Sequence, residues 1–448
     1  MKYLVILGLI SLLTITSLEH VSAIPMWQKD LDGTITSADI SADGNHIVTG
    51  TKISDNEGKV HFFDVQGKVL WEENLERIIA GVSLSRDSSL VLVNGYQLSE
   101  GRGKFYMNPA TYLFDQSGNI LWKYENANQT SLGNENQFLT GIMTPQKNIL
   151  IAFDYGLLYL DTDGNLLWNY TVPGRTSGMQ ISSDGSIIAL GVNGHLDDTW
   201  WLYVFDNLGN LLWKYDGIDG LVQGGAVSLS SNGEQIVIGS MASGEYGNLY
   251  LFDINGNLLW TRNVDGGILS TDMSDNGSFT VVESNYGTTV FDEFGNNIDT
   301  KPTFHTVLSS DDSLIITATP IENYYNLTFF DTRLVPIQTE EIQSELRTIV
   351  SNGEKTAVGT QHSTDLGQYN QLYLFEKNTK VNYVDFRDAD GEIIEKGCIV
   401  ALRGSIVDNF GDQFSYMMRC HPVTIFVIFL ISSAVIIGLV FIIWRKRK

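Results

Sequence analysis

The side chains with the most chemistry to offer are histidines, cysteines and aspartates set close to glycine. His46, His61, His195, His305, His362 and His421 are scattered through strand-like runs and variable stretches, with no partner that recurs beside them. A general base must stand within hydrogen-bond reach of the group it serves, and a lone histidine is more often part of the packing. No catalytic residue is therefore assigned. Cys398 and Cys420 are the only thiols and lack C-x-x-C or metal-ligand spacing. In an oxidising compartment the two can bridge, or both can remain free.

Aspartates near glycine invite a calcium reading, which the spacing does not support. An EF-type loop needs oxygen ligands at its first, third and fifth positions before glycine and a glutamate at the twelfth. Around Gly164 those positions hold Tyr159, Asp161, Asp163 and Tyr170, and around Gly391 the first and twelfth are Phe386 and Gly397. Hairpin turns explain these acids better; calcium is not indicated, and no cofactor or metal is expected.

The elements that carry these residues repeat. HFFDVQGKVLW ends at Trp71, YLFDQSGNILW at Trp122, LYLDTDGNLLW at Trp168, YVFDNLGNLLW at Trp213 and YLFDINGNLLW at Trp260, a spacing of 45 to 51 residues. That matches a four-stranded propeller blade. TVFDEFGNNI around Asp292, TFFDTRLVPI around Asp331 and LYLFEKNTKV around Glu376 continue the series without tryptophan. A second turn precedes each phrase, at Ser41, Ser85, Thr144, Ser182, Ser230, Ser274, Ser309 and Ser351. Two tight turns per unit make two hairpins, hence four strands. Trp27, in PMWQKDL, reads as the last strand of a unit whose other three strands lie around 348–375. Pairing them closes the circle and leaves no free sheet edge. The expectation is an all-β propeller of eight four-stranded blades, with seven as the alternative count.

The FDxxGNLLW phrase resembles the tryptophan-docking repeat of pyrroloquinoline-quinone-type propellers over roughly residues 24–380. That resemblance implies the architecture. The quinone enzymes of the family also need vicinal cysteines, a calcium site and a catalytic aspartate, and this chain has no adjacent cysteines and no matching ligand set. Arylsulfotransferase propellers show a similar strand phrase and rely on a histidine in the central funnel. The resemblance implies a cofactor-free scaffold that holds other proteins; the alternative is an extracellular enzyme, dehydrogenase-like or arylsulfotransferase-like, using that funnel.

Insertions cluster after the second strand of several units: KISDNEG from Lys52, YQLSEGRGKFYMNPA from Tyr96, NGHLDDTWW from Asn193, MASGEYG from Met241 and QHSTDLGQYN from Gln361. One-sided insertions in a repeat protein mark its binding face. Tyr96, Phe105, Tyr106, Trp200, Trp201, Tyr246 and Tyr369 are the candidate binding rim, suited to a protein or a glycan, unless they only pin their own loops.

The two ends set the compartment. Residues 1–23 read as a signal peptide closing on Val21-Ser22-Ala23. Val423–Trp444 is 22 residues without a charge, followed by Arg445, Lys446, Arg447 and Lys448. That length spans a bilayer as a helix, and the basic tail places its end in the cytoplasm. The expected order is signal peptide, propeller ectodomain (24–380), juxtamembrane stalk or cap (381–421), transmembrane helix (422–444) and cytoplasmic tail (445–448). The chain carries a net charge of −24, and its mature ectodomain −28. Such a surface repels nucleic acid and anionic lipid. Acceptor sequons stand at Asn128, Asn169, Asn276 and Asn326. An acidic, cysteine-poor, sequon-bearing surface protein suits an archaeon.

Overall fold

Each repeat folds into four antiparallel strands because both of its turns are satisfied by their own side chains. The computed structural model describes residues 25–101, 104–125, 140–153, 155–194, 199–242, 246–321, 324–342, 344–364, 367–377, 382–387 and 393–399. In the turn before the outermost strand, Asp161 Oδ1 accepts the backbone N–H groups of Asp163 (3.0 Å) and Asn165 (2.8 Å), and Oδ2 accepts the Asn165 amide (2.9 Å). Asp115, Asp206, Asp253 and Asp292 repeat the pattern. In the inner turn, the Ser182 hydroxyl donates to Asp184 and accepts from the Ile187 amide. These acids are turn-builders with their oxygens spoken for by N–H donors.

The donors hold the Asp115 and Asp161 carboxyls below the ordinary carboxylate range, the Asn119 and Asn165 side chains foremost. A carboxylate depressed in the fold adds stability above its unfolded pKa of about 4, and loses it as pH falls through the folded value. Stability is expected to drop steeply below about pH 4, with Asp161→Ala and Asp206→Ala together flattening that limb in urea titrations. An unchanged acid limb in the double variant would refute the assignment.

Among the described residues nine antiparallel sheets form, eight of them four-stranded. Blade 1 holds Thr34–Ile40, His46–Ser54, Glu57–Asp64 and Val69–Leu75; blade 2 holds Ile78–Leu84, Leu90–Gly101, Lys104–Asp115 and Ile120–Glu125. Blade 3 runs from Thr140 to Thr171, blade 4 from Gly174 to Tyr215, blade 5 from Val227 to Asp265, blade 6 from Ile268 to Lys301 and blade 7 from Val307 to Ile342. Blade 8 takes Glu345–Ser351, Lys355–Thr364 and Gly367–Glu376, and is completed by Trp27–Leu31, paired from Trp27↔Leu374 to Leu31↔Asn370. The count is thus eight, closed by the N-terminal strand.

The middle two strands of a blade are covered on both faces and read as unbroken apolar runs, such as Ile236, Val237 and Ile238 with Leu249, Leu251 and Phe252. Outermost strands are covered on one flank, so Leu166–Thr171 alternates between exposed and half-buried residues. On that flank lies the tryptophan. The indoles of Trp27, Trp71, Trp122, Trp168, Trp213 and Trp260 each donate to a carbonyl in the next blade's turn, at Val65, Gln116, Thr162, Asn207, Ile254 and Glu293, over 2.8–3.0 Å. Each ring lies on that turn's glycine. At Gly209, with φ +84°, an added Cβ would stand 2.7 Å from Trp168 Cδ2, so glycine is required both for the backbone and for the ring's approach.

Two of the long insertions are strands. In blade 2, pairing continues to Gly101↔Lys104, well past Tyr96↔Ile78 where the innermost strand begins, and in blade 8 it continues to Thr364↔Gly367. All seven candidate rim residues, Tyr96, Phe105, Tyr106, Trp200, Trp201, Tyr246 and Tyr369, are strand residues, not loop residues.

The chain divides into two compact units, Ala23–Lys377 and the remainder. Of the second, the described part is a hairpin, Asn382–Arg387 with Ile393–Ile399, in which Cys398 opposes Tyr383. Among the described residues no helix is long and apolar enough to cross a membrane. The signal peptide, Asn128, Cys420, the transmembrane segment and the basic tail lie outside the described residues.

Candidate binding face

Antiparallel order puts the turns after the first and third strands on one side of the ring. Connections after the second strand and between blades lie on the other, here called the rim face. Four connections on this face meet over blades 4 to 6. Leu221, between blades 4 and 5, exchanges backbone hydrogen bonds with Met241 at 3.1 and 2.8 Å. The Met241 side chain runs against Gly267, between blades 5 and 6, where a Cβ would come within 2.5 Å of its Cγ. Tyr246 forms a parallel bridge with Gly266, and the ring of Tyr286 lies on the other side of that glycine. Leu221 is 43% exposed, Tyr246 42% and Tyr286 58%, so this is a contiguous apolar and aromatic surface facing solvent. Exposed contiguous patches of this kind mark interaction sites.

Charge frames it on one sign. Asp216, Asp219 and Asp265 are exposed on the same connections. The segments 216–226, 241–247, 265–267 and 284–287 contain no lysine or arginine.

The expected rim residues divide between this sector and its opposite. Trp200 borders the patch: it is half-buried against the core that includes Ile218 and Val222, and the Asn193 side chain clips Val222 at both N and O, at 3.1 and 3.0 Å. Trp201 packs instead on the core of blades 3 and 4. Both tryptophans thus pin the blade 4 insertion, and only the Trp200 edge meets the patch. Tyr96 stands in blade 2 and Tyr369 in blade 8, with Phe105 and Tyr106 on the raised blade 2 hairpin. That hairpin is tied to blade 1 by the Asn56 amide, which donates to Leu98 O (3.0 Å) and accepts from Leu98 N (2.6 Å). Sequence reasoning missed Leu221, Met241 and Tyr286.

Other candidates are accounted for by the fold. His61 is buried, with Nδ1 2.9 Å from Glu72 and its ring stacked near Phe63, and burial lowers its pKa. His46 stacks on Phe62 at 5.3 Å. His305 adopts a left-handed φ of 51° with its ring 6.0 Å from Tyr325. His195 and His421 lie outside the described residues, and His362 is a strand residue of blade 8. No group of three or more histidines, cysteines or acids suited to a metal occurs among the described residues. Aliphatic pairs such as Ile120 with Leu121, Leu166 with Leu167, Leu211 with Leu212 and Leu258 with Leu259 are also exposed, and they recur on each of these outermost strands beside its docking tryptophan. Of the sequons, Asn169 is exposed on an outermost strand and Asn276 is exposed in a turn, where its side-chain oxygen accepts from Ser278 N, whereas Asn326 is paired on both sides within blade 7.

Residues 108–299 match the family described as "Outer membrane protein assembly factor BamB". Among solved structures, the Dos1 propeller is 12% identical with a TM-score of 0.57, over 78% of this chain and 95% of that one. BamB from Moraxella catarrhalis is 14% identical with a TM-score of 0.51, over 78% of this chain and 99% of that one. The dihydro-heme d1 dehydrogenase NirN is 13% identical with a TM-score of 0.51, over 69% and 67%. No curated protein matches the chain. At these identities the likeness shows the fold alone, a propeller, here of eight blades with pyrroloquinoline-quinone-like repeats, and a structure named as a dehydrogenase stands beside one named as BamB.

Proposed function

We propose that the chain is a non-catalytic binding or scaffolding module of the cell envelope, held on the outer face of the membrane by its C-terminal segment. Its partner is a protein that docks on the rim face over blades 4 to 6. The observation that carries this reading is the continuous surface of Leu221, Met241, Tyr246 and Tyr286. Tyrosine gives wide contact area at low entropy cost, and such residues dominate binding energy at the centre of interfaces. The exposed Asp216, Asp219 and Asp265 around it favour a partner with lysine or arginine at its rim, which speeds encounter and weakens as salt rises. The match to an assembly-factor family supports a protein partner. Stretches 1–23 and 422–444, which read as export signal and anchor, support the location.

The test is capture of the partner from envelope extract by the full-length protein in detergent. Tyr246→Ala with Tyr286→Ala is expected to reduce capture at least tenfold, about 1.4 kcal/mol or more, with the unfolding midpoint unchanged. Tyr96→Ala, on the far side of the ring, is expected to leave capture intact. Equal capture by the double variant and the parent would reject this face. These exposed tyrosines are better probes than Trp200 and Trp201, whose removal would also loosen the blade 4 insertion.

A further inference from the structure

Six of the eight junctions carry an indole docked on a glycine, and the 7–8 junction, where Gln338 takes the indole position, keeps a backbone tie from Ser310 to Ser351; the 6–7 junction has neither. Wherever an indole is present, it sits on a glycine of the next blade. Between blades 6 and 7 the indole position, seven residues after the turn aspartate, is Asp299, which pairs with Lys301. The glycine position is Leu334, held at φ 55° with its side chain buried. Along the turn face, backbone bonds tie Ser183 N to Ser231 O (2.9 Å), Ser231 N to Asp275 O (2.8 Å) and Ser310 N to Ser351 O (3.1 Å). At the 6–7 junction this tie is made by a side chain: Asp275 N donates to Asp312 Oδ2 over 2.6 Å, and Asp312 is itself at φ 58°.

At the inner end blade 7 is held through three backbone N–H groups on carboxylates of blade 6, where the junction of blades 1 and 2 has one such bond, from Leu84 N to Asp39 Oδ2 at 2.7 Å. The innermost strand of blade 7 is only Val307–Leu308. Leu308 N donates to Asp272 of blade 6 over 3.2 Å, and His305 N and Thr306 N donate to the two oxygens of Glu283 at 2.9 Å each. Of the five non-glycine residues with positive φ among the described residues, His305, Asp312 and Leu334 fall in or beside this one blade. Left-handed backbone at non-glycine positions is strain that surrounding structure must hold, and such strain gathers where a structure switches.

We propose that blade 7 is a displaceable blade: the seam between blades 6 and 7 is where the native ring opens, and Asp272, Glu283 and Asp312 latch it by accepting backbone N–H groups. The seam is acidic throughout, with Asp275 and Asp311 beside the latch residues. Cations of the same sector are engaged elsewhere: Lys301 on Asp299, Arg333 on Asp331, and Lys377 on Ser313. Burial, with the neighbouring carboxylates adding to it, raises Asp272 to about 6 and also pushes Asp312 up. A carboxyl raised in the closed form binds its proton more tightly there than when the seam is open. The closed form therefore gains as pH falls through about 6, and the latch is weakest at neutral pH and above. Glu283 adjoins the turn that carries Tyr286, so the seam begins where the proposed binding surface ends, although the seam argument stands without that surface.

Hydrogen exchange of the full-length protein, corrected for intrinsic rates, tests this. At pH 8, protection in Ile315–Ile321 and Tyr324–Phe330 is expected to be at least tenfold lower than in Gln235–Met241 and Tyr246–Asp253 of blade 5. That gap is expected to narrow severalfold at pH 5. Asp272→Asn with Asp312→Asn is expected to abolish the pH dependence, whereas Asp39→Asn, a buried carboxyl at the junction of blades 1 and 2, leaves it unchanged. Rebuilding the missing contact with Asp299→Trp and Leu334→Gly is expected to raise blade 7 protection. Equal protection of blades 5 and 7 in the parent would overturn the seam. A gap whose pH dependence survives in the double asparagine variant would overturn the latch.

Discussion

Trp213→Ala is expected to lower the unfolding free energy by about 3 kcal/mol, the low end for truncating a large aromatic in a packed site. The indole is half-buried between blades 4 and 5, with its ring centroid 5.5 Å from that of Phe252 and its N–H donated to Ile254 O at 2.8 Å. It covers Gly256, where a Cβ would lie 2.9 Å from Trp213 Cδ2 at a φ of +84°. Trp213→Phe keeps most of the ring contact and loses the hydrogen bond, so about 1 kcal/mol is expected from it. Gly256→Ala is expected to destabilise as well. Combined with Trp213→Ala it should cost less than the sum, because the alanine then has no indole to meet. Urea unfolding of the four proteins checks the series. Strict additivity, or an unchanged midpoint for Trp213→Ala, would refute the docking account.

Deleting residues 24–33 is expected to have the larger effect, converting a monomer that unfolds cooperatively into an associating species. The deletion removes Trp27–Leu31 and leaves the strand Gly367–Glu376 with an unpaired edge from Asn370 to Leu374. It also uncovers Gly67 and removes the Trp27 bond to Val65. A bare edge beside buried Leu372 and Leu374 is a template for pairing with another chain. Light scattering on a sizing column reads the association, and a synthetic peptide of residues 25–33 is expected to restore the monomer. A truncated chain that stays monomeric with parental stability would show that closure of the ring is not what holds blade 8.

Much of this fold is legible in the sequence because its turns are local. Asp161 with Asn165, and Ser182 with Asp184, need only their own segment to form, so the phrase repeats wherever the turn does. Trp27 could be assigned to the last blade because one outer-strand phrase stood without its three companions. The binding surface is not local in that sense. Leu221, the pair Met241 and Tyr246, and Tyr286 belong to three different connections, and what joins them is the close approach permitted by Gly266 and Gly267. That glycine pair was the available signal. The raised hairpins were misread for a related reason: glycine and serine in YQLSEGRGKFYMNPA obscure an alternation that the cross-strand register makes plain. Degeneracy of the phrase around Asp331 is visible in the sequence. That Leu334 would take the left-handed place of a glycine is not, since it depends on what blade 6 fails to offer.

Closure by Trp27–Leu31 also sets an order in time. The strand it joins emerges more than 330 residues later, so during synthesis the first strand has no mate until nearly the whole propeller has been made. Contacts at such separation form slowly. The seven complete blades are each able to form from consecutive sequence, while the eighth waits. A chain that stops before that strand leaves its opening segment without a sheet to join, so every such copy, wherever it stops, shares the same orphan strand.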